Sequence, residues 1–143
     1  MGARRKAREL ALQMLFQFDM AGNDPRAIID TFEDLQRVRA NVRDFAERIF
    51  LGTVEKMGEI DEIITAQADN WRLERMAAVD RNIIRMSIYE LKFAEGTPKL
   101  VIIDEAIEIA KKFGTEKSSQ FINGILDGIL KRYNLDRDSK AAR

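Results

Sequence analysis

Apolar residues recur at helical spacing along most of the chain, and the widest apolar arc lies between Val79 and Ala94, VDRNIIRMSIYELKFA. Val79, Ile83, Met86, Glu90 and Ala94 fall on one side of this segment. Ile84, Ile88 and Leu91 form a second strip beside it. A surface helix carries one apolar stripe, whereas a helix apolar over a wider arc is buried among others. Asp80 is placed to cap the N-terminus by accepting a backbone N–H of the first turn. Arg81, Arg85 and Lys92 share the narrow polar face. The pattern predicts an all-α domain built around this segment.

The other segments follow the same period. Ala7, Leu10, Ala11, Met14, Leu15 and Phe18 give a first helix with one continuous core stripe. Gly22-Asn23-Asp24-Pro25 ends it and starts a second, with Asp24 as N-cap and Pro25 at the first helical position. That second helix presents Ile28, Ile29, Phe32 and Leu35. Asn41 is expected to cap a third helix carrying Val42, Phe45, Ile49, Phe50 and Val54, and Ile60, Ile63 and Ile64 mark a fourth after Gly58. Trp71 and Leu73 bridge into the short stretch Glu74 to Ala78 before the central segment, with Trp71 read as a core anchor in preference to a ligand platform. Beyond the break at Gly96-Thr97-Pro98, Leu100, Ile103, Ala106, Ile107, Ala110 and Phe113 form one face that stops at Gly114. Asp104, Glu105 and Glu108 in that helix read as structural acids near its positive end. Ser118 or Ser119 is expected to cap the final helix, packed by Phe121, Ile122, Ile125, Leu126, Ile129 and Leu130. Gly124 and Gly128 lie one turn apart there, and their cost of about 1 kcal/mol each relative to Ala points to close approach by another backbone.

Composition narrows the function. At 143 residues the chain is expected to form a single domain over 1–143, with a frayed polar tail from about Asp136. No apolar run approaches the ~20 residues of a membrane span, and no secretory signal is recognisable, so a cytoplasmic location is expected. Without Cys or His there is no disulfide, zinc finger or Cys–His or Ser–His nucleophile pair. No metal or catalytic residue is assigned, and no cofactor is expected. Formal net charge is zero, so any anion-binding surface depends on local segregation of charge.

That segregation is at the N-terminus, where Arg4, Arg5, Lys6 and Arg8 precede the first acid, Glu9. At about 100° per residue, Arg5, Arg8, Leu12 and Phe16 share a shoulder beside the core stripe. Cations that hold phosphates next to an aromatic on which a base can stack suit single-stranded nucleic acid. The same residues also fit a solvated basic tail, with Phe16 covering a small apolar patch. Cations at a helix N-terminus oppose the macrodipole, a mild cost consistent with a functional reason for them.

Four blocks, ARRKARELALQMLFQ, VDRNIIRMSIYEL, IDEAIEIAKKFG and SSQFINGILDGILKRY, in this order and spacing from about Ala3 to Tyr133, resemble the bacterial transcription antitermination factor family NusB. The resemblance implies two packed three-helix bundles and a non-enzymatic role. That role is binding boxA single-stranded RNA of ribosomal RNA transcripts with NusE, a small-subunit ribosomal protein, in a complex on RNA polymerase. By the same resemblance Arg4, Arg5, Lys6 and Arg8 match an arginine-rich RNA-binding segment, and Phe16 an RNA-contacting aromatic. Ser118, Gln120 and Phe121 match a second RNA-contacting region, and Glu74 and Asp80 match acidic partner-binding positions. Homodimers that cover the RNA surface occur among members. Asp104 departs from the family's usual Asn, and Lys117 stands where some members carry an acid. The competing readings are a helical protein–protein adaptor without RNA binding and an enzyme subunit. The latter is opposed by the lack of a Gly-rich cofactor loop and of a Cys nucleophile.

Overall fold

The computed structural model describes residues 2–68, 72–94 and 96–133. Trp71 and the tail from Asp136 lie outside them. Among the described residues eight α-helices follow in order: α1 (Gly2–Ala21), α2 (Pro25–Thr31), α3 (Glu33–Gln36), α4 (Ala40–Glu55), α5 (Met57–Gln67), α6 (Ala78–Ile88), α7 (Lys99–Phe113) and α8 (Ser118–Arg132). A 3₁₀ turn at Leu73–Arg75 precedes α6, and a π-helical turn at Tyr89–Phe93 prolongs it. No strand occurs among the described residues. Helix α1 packs along α4, with α2 against both. Helices α6, α7 and α8 pack mutually, with α5 against α6 and α8. The two groups meet where α1 and α4 lie against α6, so one core runs through both.

The central segment is as buried as its pattern requires. Every residue from Asn82 to Ile88 is buried, and Ile83, Ile84 and Ile88 are fully enclosed. The α1 stripe is enclosed likewise, with Ala7, Leu10, Ala11, Met14 and Leu15 at 0% exposure. The Asp24 cap forms, its carboxylate accepting the Ala27 N–H at 3.2 Å, and Gly22 takes the left-handed φ of 71° that ends α1.

Several local expectations are corrected. Phe32 is extended (φ −82°, ψ 102°) and splits the expected second helix into α2 and α3, so that Ile28, Ile29 and Leu35 all still reach the core. Arg39, not Asn41, precedes the first residue of α4, and Gly58 lies inside α5. Ala77 is the N-cap of α6, which puts Asp80 in the first turn, where its charge still favours the helix N-terminus. Leu100 is 70% exposed: α7 is rotated so that Ile102 and Ile109 take the core and Glu105 turns inward. Ser118 begins α8 instead of capping it; its hydroxyl accepts the Thr115 N–H at 2.9 Å and closes the preceding turn. Gly124 faces open space, whereas at Gly128 it is the Gln67 side chain, not a backbone, that occupies the place of a Cβ. Gly52 of α4 meets the Tyr89 ring in the same way.

The polar positions of α6 turn into ion pairs. Arg81 donates to Asp19 Oδ2 at 2.9 and 2.7 Å and to the Leu73 and Met76 carbonyls. Arg85 forks onto Asp61 at 2.8 and 3.0 Å, and Asn82 donates to Asp19 at 3.0 Å. Burial pushes the Asp19 carboxyl up, but the hydrogen bonds from Arg81 and Asn82 and the charges of Arg85 and Arg81 hold it below its ordinary value. A carboxyl whose folded pKa is lowered stabilises the fold above its unfolded pKa, about 3.9 for Asp, and that stability disappears as pH falls through the folded value. The urea midpoint is therefore expected to stay level from pH 7 to about 5 and to decline below about 4. Asp19→Asn should decline less steeply in that acid range; a decline parallel to that of the unsubstituted chain would show that Asp19 contributes no such linkage.

Candidate nucleic-acid interface

The basic start of α1 does not form one exposed shoulder. Arg8 is 3% exposed and forms a two-pronged pair with Glu90, Nε to Oε1 at 2.7 Å and Nη2 to Oε2 at 2.8 Å. Glu90 is presented by the π-helical turn after α6 and is itself 4% exposed. Leu12 is buried as well. The expectation that Arg8 lies exposed beside Arg5 and Phe16 is therefore corrected: Arg8 belongs to the joint between the two helix groups. Helical periodicity puts these residues on one side of α1, but it cannot show that a carboxylate 82 positions later faces Arg8.

Arg5 is intermediate. Its Nε and Nη2 donate to the Glu105 carboxylate at 2.9 and 2.8 Å while its side chain stays 37% exposed. The hydrogen bond and the charge of Arg5 hold the Glu105 carboxyl below its ordinary range against the effect of burial. Arg4 and Lys6 are exposed. Phe16 is 41% exposed, as a base-stacking platform requires. The cations that oppose the α1 dipole are thus partly compensated by acids from other helices.

The second predicted region gathers around a cleft of about 580 Å³ between the starts of α6 and α8, lined by Arg75, Met76, Ala77, Asp80, Thr115, Lys117, Gln120 and Phe121. Here the structure unites Asp80 from the partner-binding set with Gln120 and Phe121 from the RNA-binding set. Gln120 and Lys117 are exposed, and Phe121 is half-buried against the core. Asp80 Oδ1 is buried and has no hydrogen-bond partner among the described residues. Ser118 is 1% exposed, so its hydroxyl shapes the turn that carries Gln120 and Phe121 and does not face the cleft rim. Glu74 is exposed on the 3₁₀ turn, and Asp104 is exposed on α7. Arg75 and Lys117 line the cleft without having been placed in either set. Their 42-residue separation leaves no trace in periodicity.

Among the described residues no cluster of three or more acidic, His or Cys side chains is placed to hold a metal ion. No described helix is long and apolar enough to cross a membrane. The described surface offers exposed cations, the exposed ring of Phe16 and the Gln120 amide, which suit a polyanion bearing planar bases.

Residues 5–131 match the model of the NusB family. The chain belongs to the NusB family. Among NusB relatives, the transcription antitermination protein of Koribacter versatilis is 44% identical over 141 residues, covering 98% of this chain and 97% of the relative. That of Geobacter sulfurreducens is 49% identical over 130 residues, covering 90% and 94%. The solved structure of T. maritima NusB is 40% identical with a TM-score of 0.82, covering 90% of each chain. A crystal structure of the antitermination factors NusB and NusE in complex with double-stranded RNA matches at 27% identity and TM-score 0.84, covering 93% of this chain and 99% of that one.

Within this NusB-family fold, removing one partner of a buried charge pair leaves the other uncompensated, at a typical cost of about 3–5 kcal/mol. Arg8→Ala is expected to lose that much in urea unfolding. Arg4→Ala, which loses a cation–π contact with the Phe45 ring and one long hydrogen bond to Thr97 made by an exposed side chain, should lose no more than about 1 kcal/mol. Equal and small losses from both would return Arg8 to the exposed face.

Proposed function

We propose that this chain is a transcription antitermination factor, non-enzymatic and cytoplasmic, that binds boxA RNA of ribosomal RNA transcripts together with NusE in a complex on RNA polymerase. The observation that carries the reading is its near full-length similarity to NusB antitermination proteins. The geometry supports a division of labour within the site. Arg4 and Lys6 attract phosphates, and Arg5 has its Nη1 edge left over after Glu105 takes Nε and Nη2. Phe16 offers the stacking ring on α1, and Gln120 and Phe121 extend the RNA surface at the start of α8. Arg8 and Ser118 are positioning residues, acting through the α1–Glu90 joint and the turn before α8. Glu74 and Asp80 face NusE. Asp80 Oδ1 is a buried acceptor without a donor among the described residues, and a donor from NusE would satisfy it.

The single-stranded reading rests on exposed Phe16, since a ring can stack on an unpaired base. Fluorescence anisotropy with labelled boxA-type RNA, a scrambled strand and a duplex, with and without NusE and at two salt concentrations, tests it. The boxA strand should bind in preference to both controls and more tightly when NusE is added. Phe16→Ala should weaken it by about 1–3 kcal/mol, the usual worth of one stacked base. Failure to bind any RNA in any condition would leave the adaptor reading; preference for the duplex would remove the stacking role of Phe16.

A further inference from the structure

Helix α4 carries no residue of the site described so far, yet it completes a cationic pocket with the start of α1. The Phe45 ring has three guanidinium carbons near it: Arg4 at 4.5 Å from its centroid, Arg8 at 5.2 Å and Arg48 at 5.3 Å. Arg8 is neutralised by Glu90. Arg4 and Arg48 are exposed, and neither meets a carboxylate among the described residues. Their distances to one centroid hold the two charges within about a Debye length, ~10 Å at 0.1 M salt, so they repel. The ring gains cation–π attraction from each but cancels neither charge.

Two cavities of about 260 Å³ flank this pair. One is lined by Arg4, Phe45 and Arg48 with Tyr89, Glu90 and Thr97; the other by the same three residues with Ala3 and Asn41. Glu90 brings no free charge to the first, because both of its oxygens are taken by Arg8. Arg4 has one long contact, 3.4 Å to Thr97 Oγ1, which leaves most of its donors available. Two repelling guanidinium groups held over one buried ring, beside space for a small group, form a receptor for a phosphate.

We propose that Arg4 and Arg48, held over Phe45, bind a phosphodiester of RNA flanking the segment that stacks on Phe16, so that the RNA footprint extends from α1 onto α4. This rests on the RNA-binding reading above. Arg4 and Phe16 are separated along α1 by about 18 Å at 1.5 Å per residue, so a strand covering both must run past the stacked segment. The α4 contribution is invisible to periodicity, since Arg48 reads only as a solvated position one turn from Phe45.

The test compares a core boxA-type RNA with one extended by several nucleotides at each end, using the full chain, Arg48→Ala and Arg48→Glu, with thermal melts as controls for folding. The extended strand should bind the full chain more tightly than the core. Arg48→Ala should remove that gain and flatten log K against log salt by about 0.7, the value for one phosphate on a single strand. Arg48→Glu should weaken the extended strand further, and melting temperatures should stay close to that of the unsubstituted chain. Equal binding of core and extended RNA, or an unchanged gain and slope in Arg48→Ala, would overturn the proposal. A parallel NMR titration with inorganic phosphate separates the sources: resonances of Arg48 and Phe45 that shift with phosphate while Arg48→Ala leaves RNA binding unaltered would assign the pocket to a free anion and refute the RNA assignment. If the unsubstituted chain binds neither RNA, the RNA-binding reading fails and this proposal fails with it.

Discussion

Charge buried on the central helix is the constraint on which the architecture depends. Helix α6 and the π turn after it place Arg81, Arg85 and Glu90 against neighbouring helices, with side chains only 11%, 7% and 4% exposed. A buried ion is tolerable only when its partner and hydrogen bonds are in place, because the desolvation of each charge costs several kcal/mol. Asp19 near the end of α1 answers Arg81 and Arg85, Asp61 on α5 answers Arg85, and Arg8 near the start of α1 answers Glu90. Helix α1 is thereby fixed to the central helix at both ends. The apolar core between them gives the driving force for association, and the buried charges are all answered in the register in which the helices meet.

The same constraint divides the basic segment by function. Four cations in five positions look alike in sequence, but the structure grades them from buried Arg8, through half-committed Arg5, to exposed Arg4 and Lys6. On the proposed reading a polyanion would meet the uncommitted members, Arg4 and Lys6, while Arg8 and Arg5 hold α1 against Glu90 and Glu105. On that reading, binding surface and scaffold would be neighbouring residues of one helix, with the exposed ring of Phe16 further along it.

Much of the fold was legible because a 3.6-residue period reports which side of a helix is enclosed. Ile83, Met86 and Ile88 on α6 and Leu10, Met14 and Leu15 on α1 are buried as their spacing requires. Helix ends were harder to read: Asp80, Asn41 and Ser118 are all residue types that cap helices, yet each lies inside one, because backbone geometry and neighbouring turns choose the cap. Leu100 fits a stripe at helical spacing but is exposed, because α7 is turned with Glu105 toward Arg5 and Ile102 and Ile109 in the core. In the candidate site Phe16, placed on a shoulder beside the core stripe, is exposed, whereas Arg8 and Leu12 on that same shoulder are buried. The burial of Arg8, the cleft between Asp80 and Phe121, and the Arg4–Phe45–Arg48 group all depend on residues distant in sequence, and no local pattern carries that information.

The central claim is that Arg8 serves the fold through its buried pair with Glu90 and does not touch RNA, and replacing the whole ion pair tests it most directly. Arg8→Met combined with Glu90→Leu exchanges the buried charges for apolar side chains of similar size, a change that is often neutral or stabilising in other proteins. The account predicts that this double variant unfolds at a urea concentration close to that of the unsubstituted chain and binds boxA-type RNA with nearly unchanged affinity and salt slope. A double variant that is equally stable but has lost RNA affinity would contradict it, and would make Arg8 a direct contact.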